Sequence, residues 1–164
     1  MASAISSHVD DVEVRPVRDA DLDFLRRVYA SAREDELAQA THWSDEQKRE
    51  FLNGQFELQH RHYVENYPGA RLGVITIDGR DVGRLYVDRW DDEIRLMDIA
   101  LLPEFRNRGI GRSLVQELVD EATRTKKLLS CYVEASNPAK RLYDRLGFVE
   151  AGQHTFYLLM HFRP

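Results

Sequence analysis

Apolar positions in the first part of the chain predict one short strand followed by two helices. Residues 12–17 alternate between apolar and polar side chains, as a half-buried strand does. The sequence Ser-Asp-Glu-Gln at 44–47 is a capping box, which typically begins a helix. Residues 33–43 carry no clear pattern. The predicted elements are therefore a strand at 12–17, a helix from an N-cap at Asp19 or Asp21 to near Ala32, and a helix from Ser44 that ends before Pro68 and Gly69.

After residue 70 the pattern changes to strands and then alternates between helices and strands. Three apolar runs separated by short polar turns predict an antiparallel meander. The predicted elements are strands at 71–77, 81–90 and 93–102, a helix at 109–124, a strand at 128–135, a helix at 138–146 ended by Gly147, and strands at 148–152 and 155–162. This order predicts an α/β fold with a mixed, mostly antiparallel sheet of six or seven strands and helices on both faces.

Composition narrows the possible classes of protein. With 164 residues and 43% hydrophobic residues, one domain at 12–164 is expected, preceded by a flexible tail at 1–11. The formal net charge of −5 argues against nucleic acid or an anionic membrane as a partner. Cys131 is the single cysteine, so a reducing cytoplasm is expected, and its position within a strand favours a core role over a nucleophilic one.

The most informative segment is the loop Arg-Asn-Arg-Gly-Ile-Gly-Arg-Ser at 106–113, between a predicted strand and a predicted helix. It places three arginines where the helix macrodipole is already positive, which is unfavourable without an anion. A bound polyphosphate would accept from the first helical N–H groups, and glycines would permit its close approach. The alternative is a solvated basic turn. The loop lacks the lysine of a P-loop and the third glycine of a dinucleotide fingerprint.

Two motifs together resemble the GCN5-related N-acetyltransferase (GNAT) superfamily. The loop at 106–113 is similar to the coenzyme A loop of that family, in which Arg or Gln is followed by two residues, Gly, one residue and Gly or Ala. The sequence Asn-Pro-Ala-Lys-Arg-Leu-Tyr-Asp-Arg-Leu-Gly-Phe at 137–148 resembles the second family signature. The resemblance covers roughly residues 72–162 and implies the acyl-CoA N-acyltransferase fold, with acetyl-CoA as donor and no metal.

The resemblance also implies which residues hold the donor. Main-chain groups of the strand before the loop would bind the pantetheine arm, while their side chains are expected to belong to the core. The implied donor-binding residues are Ile99, Ala100, Leu101, Arg106, Asn107, Arg108, Gly109, Ile110, Gly111, Arg112, Ser113, Asn137, Pro138, Lys140 and Tyr143. For Asn137, capping of the following helix is an alternative role that is compatible with binding.

The implied chemistry is direct attack of a primary amine on the thioester in a ternary complex. Tyr143 matches the tyrosine that acts as general acid in the family; its alternative is a core aromatic residue. Asp98 and Glu134 are the nearest carboxylates for a general base, and a structural role is the alternative for each. An acyl-CoA sensor without turnover is the competing function.

The acceptor is not identified by these motifs, and a small molecule, a protein N-terminus or a lysine are all compatible. The family encloses acceptors between the first two helices and the last two strands. The corresponding polar and aromatic residues are Glu34, Glu36, His42, Trp43, Gln55, Gln59, Tyr63, His154 and Tyr157. Gln59 is notable because it interrupts the apolar stripe of its helix. A homodimer formed through the apolar last strand is a further expectation.

Overall fold

The computed structural model describes residues 11–164. Residues 1–10 of the expected tail at 1–11 lie outside this range. The helices are α1 (Leu22–Ser31), α2 (Glu34–Ala38), α3 (Asp45–Asn66), α4 (Ile110–Thr125) and α5 (Ala139–Arg145). The strands are β1 (Val12–Pro16), β2 (Arg71–Ile77), β3 (Arg80–Arg89), β4 (Glu93–Leu101), β5 (Leu128–Glu134), β6 (Val149–His154) and β7 (Tyr157–Phe162). Short 3-10 turns lie at Asp19–Asp21 and Pro103–Phe105.

The described strands form one sheet in the order β1-β2-β3-β4-β5-β7-β6. The β4–β5 pair is parallel, because α4 carries the chain back across the sheet, and the other neighbouring pairs are antiparallel. The expected mixed, mostly antiparallel sheet is therefore confirmed, with seven strands. Asp78 and Gly79, both with positive φ, make the tight turn between β2 and β3.

Helices cover both faces of the sheet. Val74 and Ile75 are adjacent on β2, so their side chains point to opposite faces. Val74 packs in a cluster with Leu25, Tyr29 and Phe56 of α1 and α3. Ile75 belongs to the larger core cluster, which contains the buried side of α4. The expected placement of helices on both faces is confirmed, with α1 and α3 opposite α4.

Local signals account for most helix boundaries. Ser44 and Gln47 form the expected capping box, in which Ser44 Oγ accepts from the Gln47 N–H at 3.1 Å. Asp21 does not cap α1 with its side chain; its carboxylate accepts instead from the preceding Arg18 N–H at 2.7 Å. Helix α2 lies in the segment 33–43, for which the sequence predicted no element.

The last strand is not at the edge of the sheet. Strand β7 pairs with β5 on one side and β6 on the other, so it has no open edge for a second subunit. The last strand therefore offers no open edge, because both ladders of β7 are already formed within the chain, and the homodimer itself stays a prediction. Among residues 11–164, none of the helices is long and apolar enough to cross a membrane.

Candidate active site

The centre of the sheet opens where β4 and β5 diverge. Their parallel pairing runs from Glu93 opposite Leu128 to Leu96 opposite Cys131 and then stops. At this point β4 contains a bulge, since Tyr86 pairs with Asp98 while Val87 pairs with Leu96. A bulge bends its strand and increases the local twist. The divergence forms a cleft of about 400 Å³, lined by residues of α1, α2, α3, β3, β4, β5, α5 and β7.

Main-chain groups of β4 face this opening. The Leu102 N–H donates to Val82 O at 2.9 Å, which fixes the alternation of the antiparallel β3–β4 ladder. By that alternation Ala100 exchanges main-chain hydrogen bonds with β3, whereas the N–H and C=O groups of Ile99 and Leu101 point away from β3. Ile99 thus presents polar main-chain groups toward the gap, whereas the outward C=O of Leu101 accepts from Arg106 Nε and Leu101 does not line the cleft. Ala100 contributes to the cleft lining.

Tyr143 of α5 lies in the cleft with its ring against the core. Its side chain lines the opening, the residue is 5% exposed, and its ring centroid is 5.3 Å from that of Phe148. Burial raises the pKa of the Tyr143 hydroxyl far above its usual value, and the nearby Cys131 and Asp98 add to this effect. The hydroxyl is therefore protonated at neutral pH, which is the state that a general acid requires.

Cys131, on the floor of the cleft, is poorly suited to carry an acyl group. It is a free, buried cysteine, and burial raises the pKa of its thiol to about 12. The reactive form of cysteine is the thiolate, which is therefore scarce at neutral pH.

Three carboxylates line the cleft, and two of them are paired with arginines. Asp98 forms an ion pair with the buried Arg84, and Glu36 lies 3.8 Å from Arg33. Glu134 is exposed at the end of β5 and forms no ion pair with any residue from 11 to 164. Of the two carboxylates considered as bases, Glu134 is thus the one that is not engaged by an arginine.

The loop at 106–113 has the backbone geometry of an anion site. Gly109, with φ +83°, precedes α4, and the first helical hydrogen bond runs from Ser113 N–H to Gly109 O at 3.0 Å. The N–H groups of Ile110, Gly111 and Arg112 come before this bond and have no partner within the helix. A Cβ at Gly111 would meet no atom within 4 Å, so packing does not require glycine there. Glycine would be required at this position if a phosphate approached the main chain closely.

The loop side chains divide into two groups. Arg106 is turned back onto the protein, where Nε donates to Leu101 O at 3.0 Å and a terminal nitrogen donates to Ser31 Oγ at 3.4 Å. Arg108 stacks over Phe105, 5.5 Å from its ring centroid, and Arg112 is exposed. Asn107 has φ +60° and shapes the turn. None of these loop residues lines the cleft, so the two sites are linked through β4.

The second motif, at 137–148, places its polar residues unequally. Asn137 lines the cleft, and its Oδ1 accepts from the Ala139 N–H at 2.9 Å, so it caps the helix that follows Pro138. Its side-chain NH₂ is not used in this bond. Lys140 is held by Asp144 at 3.0 Å and Glu150 at 3.2 Å. These two ion pairs hold the Lys140 ammonium group at the surface, close to α5 and β6.

The cleft contains some of the residues expected to enclose an acceptor. Glu36, Gln59, Tyr63 and Tyr157 are in its lining, whereas Glu34, His42, Trp43, Gln55 and His154 are not. The structure adds residues that the sequence reasoning missed, namely Tyr29, Arg33, Tyr67, Arg84, Arg95 and Tyr132. Arg84 had a readable signal, because a cation in an otherwise apolar strand requires a partner. Within the described chain no group of three His, Cys, Asp or Glu side chains is placed to hold a metal ion.

The sequence is similar to those of known acetyltransferases. Residues 68–150 match a family model described as an acetyltransferase (GNAT) domain. The chain is 48% identical over 62 residues to the [ribosomal protein bS18]-alanine N-acetyltransferase of Salmonella typhimurium, and 44% identical over 62 residues to that of Escherichia coli strain K12. Each match covers 37% of this chain and 42% of the relative, so the chain is compared with less than half of each enzyme.

A solved structure agrees over almost the whole fold. The PaiA N-acetyltransferase from Thermoplasma acidophilum, determined in complex with coenzyme A, superimposes with a TM-score of 0.69. The superposition covers 93% of this chain and 99% of the other, at 17% sequence identity. At that identity the agreement concerns the fold.

Proposed function

Because this chain belongs to the GNAT acetyltransferase family, we propose that it moves the acetyl group of acetyl-CoA to a primary amine by direct attack in a ternary complex. The observation that carries the proposal is the divergence of β4 from β5, which places polar main-chain groups and the protonated Tyr143 hydroxyl around one cleft. These are the groups that a transfer from a thioester to an amine requires.

The donor, acetyl-CoA, is a substrate that supplies an acetyl thioester. Its pyrophosphate fits the N-terminus of α4, where the N–H groups of Ile110, Gly111 and Arg112 are donors and the space over Gly111 is open. Arg108, Arg112 and Ser113 add polar groups at the same helix end. Along β4, the outward-facing main chain of Ile99 and the outward N–H of Leu101 suit a chain of amide groups, and Asn137 Nδ2 is a further donor.

Two side chains would take part in proton transfer. Tyr143 would donate its hydroxyl proton to the leaving sulfur, whose thiol has an ordinary pKa of about 8.5. This transfer favours release of the thiol over reversal. Glu134, the one cleft-lining carboxylate without an ion pair to residues 11–164, would take up the proton that the amine loses, directly or through water. Asp98 is less suited because Arg84 already occupies its carboxylate.

The acceptor is assigned only as a primary amine, on a small molecule or a polypeptide. The relatives in Salmonella typhimurium and Escherichia coli are named for the alanine of a ribosomal protein, which favours a protein amino group and a cytoplasmic location.

The test combines binding and turnover. Acetyl-CoA is expected to raise the melting temperature of the protein clearly more than NADH or ATP, and thiol release is expected with at least one primary amine. Equal stabilisation by all three compounds, or none by acetyl-CoA, would contradict the donor assignment. Selective stabilisation without turnover on a broad amine panel would favour a non-catalytic acyl-CoA sensor.

A further inference from the structure

A buried arginine forms part of the inner wall of the cleft. Arg84 lies on β3, its side chain is 4% exposed, and it lines the opening. One terminal nitrogen of the guanidinium, Nη2, donates to Gln59 Oε1 at 2.8 Å and to Asp98 Oδ2. Nε has no hydrogen-bond partner in the described residues, and the hydroxyl of the neighbouring Tyr86 has none either. The other terminal nitrogen, Nη1, makes no hydrogen bond to residues 11–164.

The charges around Arg84 are balanced, which limits what the cleft can bind. Arg33, Arg84 and Arg95 line the opening together with the three carboxylates of Glu36, Asp98 and Glu134. Their formal charges cancel, so the cleft has no excess charge for a polyanion or a polycation. What Arg84 offers is a set of directed N–H donors beside a compensating carboxylate. An arginine has donors only and needs an oxygen opposite them.

The surrounding side chains suit a compact, partly polar group. Six of the seven tyrosines line the cleft, so its walls are flat rings with polar tips. The guanidinium carbons of Arg33 and Arg84 lie 4.7 and 5.8 Å from the ring centroid of Tyr29. Donors from two arginines therefore border one aromatic surface in the part of the cleft beneath α1.

Resting on the proposed function, we infer that the acceptor is an amine with a carbonyl or carboxylate oxygen on the adjacent carbon, as in an α-amino acid or a peptide amino terminus. Arg84 donates to that oxygen, while Glu134 faces the amino group. A plain alkylamine offers no oxygen to Arg84, and a diamine places a second cation near guanidinium groups. The alkylamine would leave the donors of Arg84 unpaired, and the diamine would bring a like charge, so both acceptors are disfavoured. Arg84 is thus a specificity-determining residue.

The experiment compares kcat/KM for alaninamide, alanine, an alanine-initiated tripeptide, n-propylamine and putrescine, with acetyl-CoA as donor. Alaninamide is expected to exceed n-propylamine by about a hundredfold or more. Alanine and the tripeptide separate a free carboxylate from a peptide carbonyl as the recognised oxygen. The variant Arg84→Lys keeps the charge beside Asp98 but loses the planar fork, and is expected to raise KM for alaninamide roughly tenfold more than KM for n-propylamine.

The matched control is Arg89→Lys, on the same strand but paired with Glu121 away from the cleft, and it should alter neither acceptor. Equal kcat/KM for alaninamide and n-propylamine in the unmodified enzyme would overturn the inference, as would an equal loss on both in Arg84→Lys. If that variant does not fold, the comparison in the unmodified enzyme decides. Absence of thiol release with every amine would instead contradict the proposed function itself.

Discussion

The loop at 106–113 and the cleft between β4 and β5 are built in different ways. The loop is eight consecutive residues, and the donors proposed there are mainly main-chain N–H groups at the start of α4. The cleft draws side chains from α1, α2, α3, β3, β4, β5, α5 and β7, and its opening exists because one strand pair stops. The first site is therefore local and depends on glycine geometry, whereas the second depends on the whole sheet. Substitutions should affect them separately.

The largest expected effect is loss of turnover in Tyr143→Phe. This variant keeps the ring packed on Phe148 and removes only the hydroxyl, so kcat should fall about a hundredfold or more. Stabilisation of the protein by acetyl-CoA should be retained, because the loop is unchanged. Thiol release and thermal unfolding with acetyl-CoA measure the two properties on one sample. Turnover equal to that of the unmodified enzyme would reject Tyr143 as the acid.

A smaller effect is expected when β4 is displaced from β3. A Cβ at Gly83 would overlap the Ala100 carbonyl oxygen and would lie 2.9 Å from Leu101 Cδ2. Gly83→Ala should lower the free energy of unfolding by about 2 kcal/mol and raise KM for acetyl-CoA, because β4 carries the main-chain groups that face the gap. Urea unfolding and steady-state kinetics are the measurements.

The matched control is Gly54→Ala, in the middle of α3, where a Cβ would meet no atom within 4 Å. Alanine is a better helix former than glycine, so this variant should be more stable by roughly 0.5–1 kcal/mol, with unchanged kinetics. Comparable losses in both variants would mean that neither reports on β4.

The contrast between loop and cleft also explains what the sequence could predict. Helix α3 was predicted to start at Ser44 because the capping box is local, and the loop was recognised because cations and glycines stand together. Gln59 was noticed as a polar residue in an apolar stripe, and the structure places it on Arg84. In each case the information lay within a few residues.

The remaining features depend on contacts between distant segments. The bulge opposite Tyr86 and Val87 and the early end of the β4–β5 ladder have no signature in β4 itself. The position of β7 between β5 and β6 was not predicted either, since its apolar sequence suits an inner or an outer strand. The pairing of Asp98 with Arg84 requires the register of β3 on β4.

In the loop, Gly111→Ala should reduce donor binding without harming the fold. The added methyl group meets no protein atom within 4 Å and enters the space next to the first helical N–H groups. We expect Kd for acetyl-CoA to rise about tenfold, or about 1.4 kcal/mol, while the free protein is as stable as before or slightly more so. Calorimetric titration gives the affinity. Unchanged affinity would indicate that phosphate does not approach Gly111.

The smallest expected effect concerns the support of the cleft wall and depends on pH. Asp21, just before α1, accepts two hydrogen bonds from Arg15 at 2.8 Å, and this pairing lowers the pKa of Asp21 from 3.8 to about 2. A lowered carboxyl pKa stabilises the fold above about pH 4 and ceases to do so as the pH falls through 2.

Asp21→Asn should therefore cost about 1 kcal/mol of unfolding free energy at pH 7, since Arg15 keeps Asp81 as a second partner. The difference from the unmodified protein should shrink below pH 4 and vanish near pH 2. Urea unfolding at pH 7, 4 and 3 follows this trend. Helix α1 carries both Tyr29, which lines the cleft, and Ser31, which accepts from Arg106 of the loop, so the same variant should affect the acceptor KM and the affinity for acetyl-CoA together. A change in only one of them would mean that α1 supports that site alone.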